Sequence, residues 1–221
     1  MSGFPGSPKL VKGGLVVLDV VTGAVSRTIA LQYNPDMLTR SYQVQGVGGD
    51  ASGERAQPFR FKGPAVESIK LEAEIDATDF LERPEQNANA VQFGIAPQIA
   101  ALESLVNPTT RELQALNEQS QAGVLEILPP EAPLVLFVWS ASRVVPVRVT
   151  EFSVTEEAFD VALNPIRAKV SLGLRVMTTD DLGFTDRGGG IFLNYLRTRE
   201  SLAGKTGSAS LQSLGLTGLP Q

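Results

Sequence analysis

"VTEFSVTEEAFDVALNPIRAKVSLGLRV", residues 149–176, decides how this chain is read. In its second half, apolar Ile166, Ala168, Val170, Leu172 and Leu174 alternate with Arg167, Lys169, Ser171, Gly173 and Arg175. Successive side chains of a strand point to opposite faces, so this period of two predicts a strand with one dry face and one wet face. Residues 142–154 repeat the pattern, with Val145, Val147 and Val149 set against Pro146, Arg148 and Thr150. Between the two runs, Phe159 to Leu163 and the pair Asn164-Pro165 supply a turn. Asparagine starts turns readily, and proline has no N–H to give to a ladder. The expectation is a pair of long antiparallel strands.

Outward from this hairpin, residues 134–139 are nearly all apolar and are expected to form a central strand. Within 59–77, Ile69, Leu71, Ala73 and Ile75 alternate with Lys70, Glu72 and Glu74, a half-buried strand. Nearer the start, residues 9–21 carry Leu15, Val16, Val17 and Leu18, Thr22-Gly23 forms a turn, and 24–31 returns as a second strand. Asn34-Pro35-Asp36 ends that strand, and extended structure resumes over 38–45. Residues 46–57 hold four glycines and are expected to be a mobile loop.

Ile95, Ile99, Leu102, Leu105 and Val106 fall on one helical stripe, with the helix starting near Ala96, Pro97 in its first turn and Asn107-Pro108 as its stop. Residues 109–123 form a short helix or stay loose. After a Gly/Asp loop over 178–190, residues 191–203 form a short amphipathic helix bearing Phe192, Tyr195 and Leu196. Seven or more strands with one or two helices describe a mainly β protein, an antiparallel β barrel or sandwich. Residues 1–8 are expected to be a flexible arm, 9–203 the domain, and 204–221 a Leu/Gly-rich tail whose leucines suit contact with a partner.

The chemical inventory is sparse. The 221 residues contain no histidine and no cysteine, so the commonest general base, the commonest transition-metal ligand and the thiolate nucleophile are all missing. With 24 acids against 19 bases, and the bases scattered, nothing points to nucleic acid as a partner. The N-terminus lacks the pattern of a secretory signal. No apolar run approaches the roughly 18 residues of a membrane span, so no membrane insertion and a cytoplasmic origin are expected.

Asp76, Asp79 and Glu82 form the most tempting metal group, but their spacing misses the calcium-loop pattern, and a solvated loop is the expected reading. Gly188-Gly189-Gly190 precede a helix without the lysine of a phosphate loop and read as a flexible hinge. Ser140, Ser142 and Tyr195 have no base to activate them, and Trp139 reads as core. No catalytic residue, cofactor or metal is expected. A β barrel that binds a small ligand or carbohydrate is the alternative of a different class.

Four segments in order carry a resemblance: "IALQYNPDMLTRSYQVQ" (29–45), "FRFKGPAVESIKLEAEIDATD" (59–79), "PLVLFVWS" (133–140) and the hairpin quoted above. Together they resemble the N-terminal tube-like domain of contractile injection system baseplate proteins. The matching positions are Tyr33, Asn34, Pro35 and Leu38, then Phe59, Gly63 and Pro64, then Ile75, Asp76, Ala77 and Asp79, and finally Leu163-Asn164-Pro165.

The resemblance implies a fold like phage tail-tube and type VI secretion tube proteins, and rings of sixfold symmetry. Relatives of that kind often continue into a LysM domain and fasten the central spike and hub to the baseplate; here a short Leu/Gly tail is expected where they carry LysM. Implied partners are further copies of itself, spike or hub proteins, tube or tube-initiator proteins and baseplate wedge proteins, within an assembled phage tail-like particle. A tail-tube or tube-initiator subunit is the neighbouring alternative. The assembly contacts expected are Tyr33, Asn34, Pro35 and Leu38 at the first turn, Gly46, Gly53, Arg55 and Phe59 around the following loop, and Leu211, Leu214 and Leu216 in the tail. The turn and the loop are expected to share one end of the barrel and to dock there on the next ring.

Overall fold

The hairpin is present, formed by strands Arg143–Phe159 and Pro165–Val176. The computed structural model describes residues 10–19, 22–48, 58–122, 128–207 and 209–219. In chain order its strands are β1 (Gly14–Leu18), β2 (Val25–Ala30), β3 (Leu38–Gln43), β4 (Gly46–Val47), β5 (Arg60–Phe61), β6 (Val66–Asp76), β7 (Leu134–Ser140), β8 (Arg143–Phe159) and β9 (Pro165–Val176). Seven of them make one sheet in the order β2-β1-β7-β8-β9-β6-β3, every pair antiparallel, while β4 and β5 pair as a separate ribbon.

β8 serves two layers because it outruns its first partner. Its start pairs with β7 as far as Val147, and from Val147 onward it pairs with β9 to Phe159. Register shifts after Val149 and Glu156 mark irregularities of the kind that bend a strand. The architecture is sandwich-like, not a closed barrel: β2 and β3, the sheet's two edges, do not pair with each other. Inward side chains from both layers make one core, with Leu15, Phe137 and Val145 joined by Leu71, Val170 and Leu172. Trp139 stacks on Phe137 at 5.9 Å between ring centroids and packs against this core.

The described residues contain five α-helices where the sequence suggests one or two: α1 (Thr78–Leu81), α2 (Ala88–Phe93), α3 (Ala96–Glu103), α4 (Thr110–Gln121) and α5 (Arg187–Ala203). α1 and α2 span too few turns for an apolar stripe to register. α3 starts at Ala96 with Pro97 in its first turn and buries Ile99 and Leu102. α4 forms because Thr109 and Glu112 make a capping box, each side chain accepting from the other's backbone N–H, although the helix buries no residue.

α5 begins four residues before the expected start, so the triple glycine is its first turn and not a hinge. A Cβ on Gly188 would sit 2.5 Å from Leu182 Cδ1, and one on Gly189 2.1 Å from the Gly183 carbonyl oxygen. Glycine there lets the helix press against the preceding loop. Gly94 has a different requirement: its φ of +58° is left-handed, and a Cβ would meet the Pro165 carbonyl oxygen at 2.0 Å.

Candidate assembly surfaces

The expected contact residues fall in three places. In the connection from β2 to β3, two side-chain amides act as surrogate strand partners. Gln32 donates from Nε2 to the Asp76 carbonyl (2.7 Å) and accepts the Asp76 N–H at Oε1 (3.0 Å). Asn34 accepts the Gly13 N–H at Oδ1 and donates to the Val11 carbonyl, each at 2.9 Å. The Asn34 side chain is therefore engaged with its own chain. Tyr33 donates its hydroxyl to Asp79 Oδ2 at 2.8 Å; this bond, and then burial, push the phenol up from its ordinary value. Pro35 and Met37 project from the turn, lining an open hollow of about 520 Å³ over the wet face of β6 and β9, and Leu38 packs against the core.

The second place is the β4–β5 ribbon. Gly46 pairs with Phe61, and Phe59 lies directly over Gly46, where a Cβ would fall 2.0 Å from the ring. Phe59 and Phe61 meet edge to face at 5.6 Å, and both are exposed. Thus Gly46 is a strand residue beside an aromatic pair, not part of a loop; Gly53 and Arg55 lie outside the described residues. The ribbon follows the end of β3 opposite to the Asn34-Pro35 turn. Six strand residues separate them, about 20 Å, so the turn and the ribbon do not share one end. The third place is a single 3-10 turn, Leu211–Leu214, whose leucines and Leu216 are exposed.

Residues 19–184 match the model of a family described as contractile injection system tube protein. The chain belongs to the contractile injection system tube protein family. It is thereby a structural component of a contractile tail or tube. Among solved structures, a chain in the tail of an empty GTA particle with C6 symmetry is 14% identical, with a TM-score of 0.30, covering 74% of this chain and 90% of that one. A chain in the virion of a native gene transfer agent particle is 10% identical, with a TM-score of 0.28 and the same coverages. A comparison with curated proteins found no match.

In this tube-family chain the acidic residues singled out in the sequence take separate partners. Asp76 bonds Thr78 through Oδ1 and Arg167 Nε through Oδ2, the latter at 2.7 Å. Burial alone would raise its pKa; the Thr78 bonds and the Arg167 guanidinium outweigh burial and hold it below the usual range. Asp79 faces Tyr33, and Glu82 caps the end of α1. Among the described residues no three carboxylates cluster as a metal site would need. Ser140 and Ser142 bond each other at 3.0 Å, and no described helix is long and apolar enough to cross a membrane.

The group that sequence reading missed surrounds Glu67. This carboxylate is 3% exposed, and it accepts the hydroxyls of Tyr42 (2.7 Å) and Tyr195 (3.0 Å). Arg199 and Arg40 stand at 3.4 and 3.5 Å, and the Arg199 guanidinium lies over both tyrosine rings. The network ties β3 and β6 to α5. Tyr195, which looks like a hydroxyl without a base, is a buried donor in this lock. Its one sequence signal is Glu67 itself, an acid at an inward position of a strand that otherwise buries Ile69, Leu71, Ala73 and Ile75.

Proposed function

We propose that this chain forms a sixfold ring at the junction of the inner tube with the central spike or hub, and fastens both to the baseplate of a contractile injection particle. The observation that carries the reading is the pair of open edges, β2 and β3, at the two ends of a single sheet. Open edges present unpaired backbone groups, and like copies placed side by side can close a ring through them. Contacts with layers above and below fall to Tyr33, Pro35, the Phe59–Phe61 ribbon and the exposed tail leucines, spread over more than one end of the molecule. Spike or hub, tube or tube-initiator and baseplate wedge proteins are the partners that geometry would serve.

The wet face of β6, β8 and β9 suits the wall of a passage. Its charges alternate and pair across strands, Lys70 with Glu151 at 2.8 Å and Lys169 with Glu157 at 2.9 Å, leaving no large field of one sign. The family's description as a tube protein favours a second reading, a repeating tube subunit. Counting copies separates the two. Quantitative mass spectrometry of particles from the native host should find one ring's worth per spike for the adaptor, and many rings' worth for the tube subunit. Deleting the gene should abolish intact sheathed particles in either case; normal particles in the deletion would overturn both.

A further inference from the structure

Two features present groups that the fold leaves without partners. The first is the turn between β8 and β9. Asp160 builds it rigidly, its carboxylate accepting the N–H groups of Ala162 and Asn164 (both 2.8 Å), while Asn164 Nδ2 donates to Asp160 Oδ2 and to the Gln92 carbonyl. This frame presents Val161 wholly exposed and Leu163 78% exposed, with Leu163 at a φ of +65° that leucine rarely adopts. Val161 N–H has no hydrogen-bond partner among the described residues, whereas the amides of Asp160, Ala162, Leu163 and Asn164 all do. A rigid turn holding two bare aliphatic side chains and one free donor is preorganised for docking.

The second is a groove of about 450 Å³ between β2 and β6, floored by α3. β3 pairs with β6 only from Val66 to Leu71, so that edge of β6 has no strand beside it from Glu72 until Gln32 reaches Asp76. Ile29, Leu31, Ala73, Phe80, Ala101 and Leu102 make the lining apolar. Gln98 lines it too, and its Oε1 is buried without a partner, an acceptor that ordinarily costs stability to leave unmet. The groove also holds Lys12 and Arg27, neither ion-paired among the described residues; near the turn, Glu156 is an acid likewise without an ion pair.

We infer that the Asp160–Asn164 turn of one copy seats in the β2–β6 groove of the next, with Val161 and Leu163 in the apolar lining and Val161 N–H on Gln98 Oε1. A turn cannot fill its own groove: both lie toward the Asp76 end of β6, but β9 and β6 stand between them, and the turn is tied to Gln92. A contact between two different patches of identical chains is heterologous, and it generates a ring when the rotation closes. The inference rests on the ring reading and adds, beside the open strand edges, a side-chain contact that helps to close the ring.

The chain contains no cysteine, so introduced thiols report cleanly. Full-length Val161→Cys protein mixed with Ala101→Cys protein should form the disulfide-linked pair at about ten times the yield of Val161→Cys mixed with Ser120→Cys on α4, because docking raises the effective thiol concentration. The double variant Val161→Asn with Leu163→Asn, which removes the apolar groups without adding a charge and suits the left-handed φ at 163, should melt like wild type yet lose the ring in light scattering. Rings that persist in that variant, or equal yields in the two mixtures, would overturn this contact while leaving the ring reading intact. A wild-type chain that stays monomeric at every concentration, with no cross-link, would overturn the ring reading and this contact with it.

Discussion

At the Val66 end of β6, a carboxylate is taken out of water and held by two arginines and two tyrosines; at the Asp76 end, the neutral amide of Gln32 meets the backbone of the same strand. Both ends attach chain that the ladder does not reach, α5 at one and the β2–β3 connection at the other. They differ in what is lost when a partner goes. A buried charge needs its counter-groups to offset desolvation, so removing one member leaves several others stranded. An amide clamp is uncharged, and water can take over part of its bonding.

The largest effect should come from Glu67→Ala, which leaves Arg40, Arg199 and both hydroxyls facing a void. A loss of about 3 kcal/mol in urea unfolding is expected, with Glu67→Gln losing less because it keeps an acceptor. If the two substitutions cost the same and under 1 kcal/mol by the same measurement, the lock is decorative and the contrast between the ends disappears.

Gln32→Ala should cost about 1–2 kcal/mol, the loss of two bonds to a partly covered backbone. Native-state hydrogen exchange sharpens the point: the Asp76 amide should exchange much faster in this variant, while amides around Glu67 keep their protection.

A smaller effect is read by pH at the Glu67 end. Burial first, then the bond to Glu67 and its charge, push the Tyr42 hydroxyl up to about 12 from an ordinary 10.0. An acid whose folded pKa is raised lends stability that is complete below the unfolded pKa and lost as pH climbs through the folded one. The window is therefore pH 10 to about 12. With Tyr42 41% exposed, solvent screening leaves this contribution at about 1 kcal/mol. Tyr42→Phe should flatten this part of the stability profile but leave the share that Tyr33, raised by its bond to Asp79, adds from the other end.

The smallest effect is expected midway between the ends. Lys70 and Glu151 pair at 2.8 Å on the wet face with side chains 63% and 65% exposed, so Lys70→Met should shift stability by no more than about 0.5 kcal/mol. A larger loss on chemical denaturation would mean that the wet face contributes to the fold as well as to a surface.

The elements visible in the sequence share one property: their signal is local. β9 carries its alternation from Ile166 and β6 from Ile69, broken in β6 only by the inward Glu67, and the observed β9 begins one residue earlier, at Pro165. α3 announced itself through Pro97 and an apolar stripe. α1 and α2 were too short for such a pattern, and α4, with no buried residue, had only its capping box to declare it. The Gly188–Gly190 run misled because glycine permits both a hinge and close packing, and only the nearness of Leu182 and Gly183 separates them. Of the expected contacts, Asn34 shows the same limit: its turn-forming role was legible, but the partners of its amide were not.

By itself the sequence determined a mainly antiparallel β chain, its longest hairpin and an inventory without histidine or cysteine, because side-chain alternation and composition need no knowledge of neighbours. Tertiary structure alone decided which groups meet. Gln32 finds Asp76 across 44 positions and Tyr195 finds Glu67 across 128, and the groove exists only because β3 stops pairing at Leu71. Those meetings depend on how far each strand runs beside its neighbour, a property of the assembled sheet that no single strand's pattern contains.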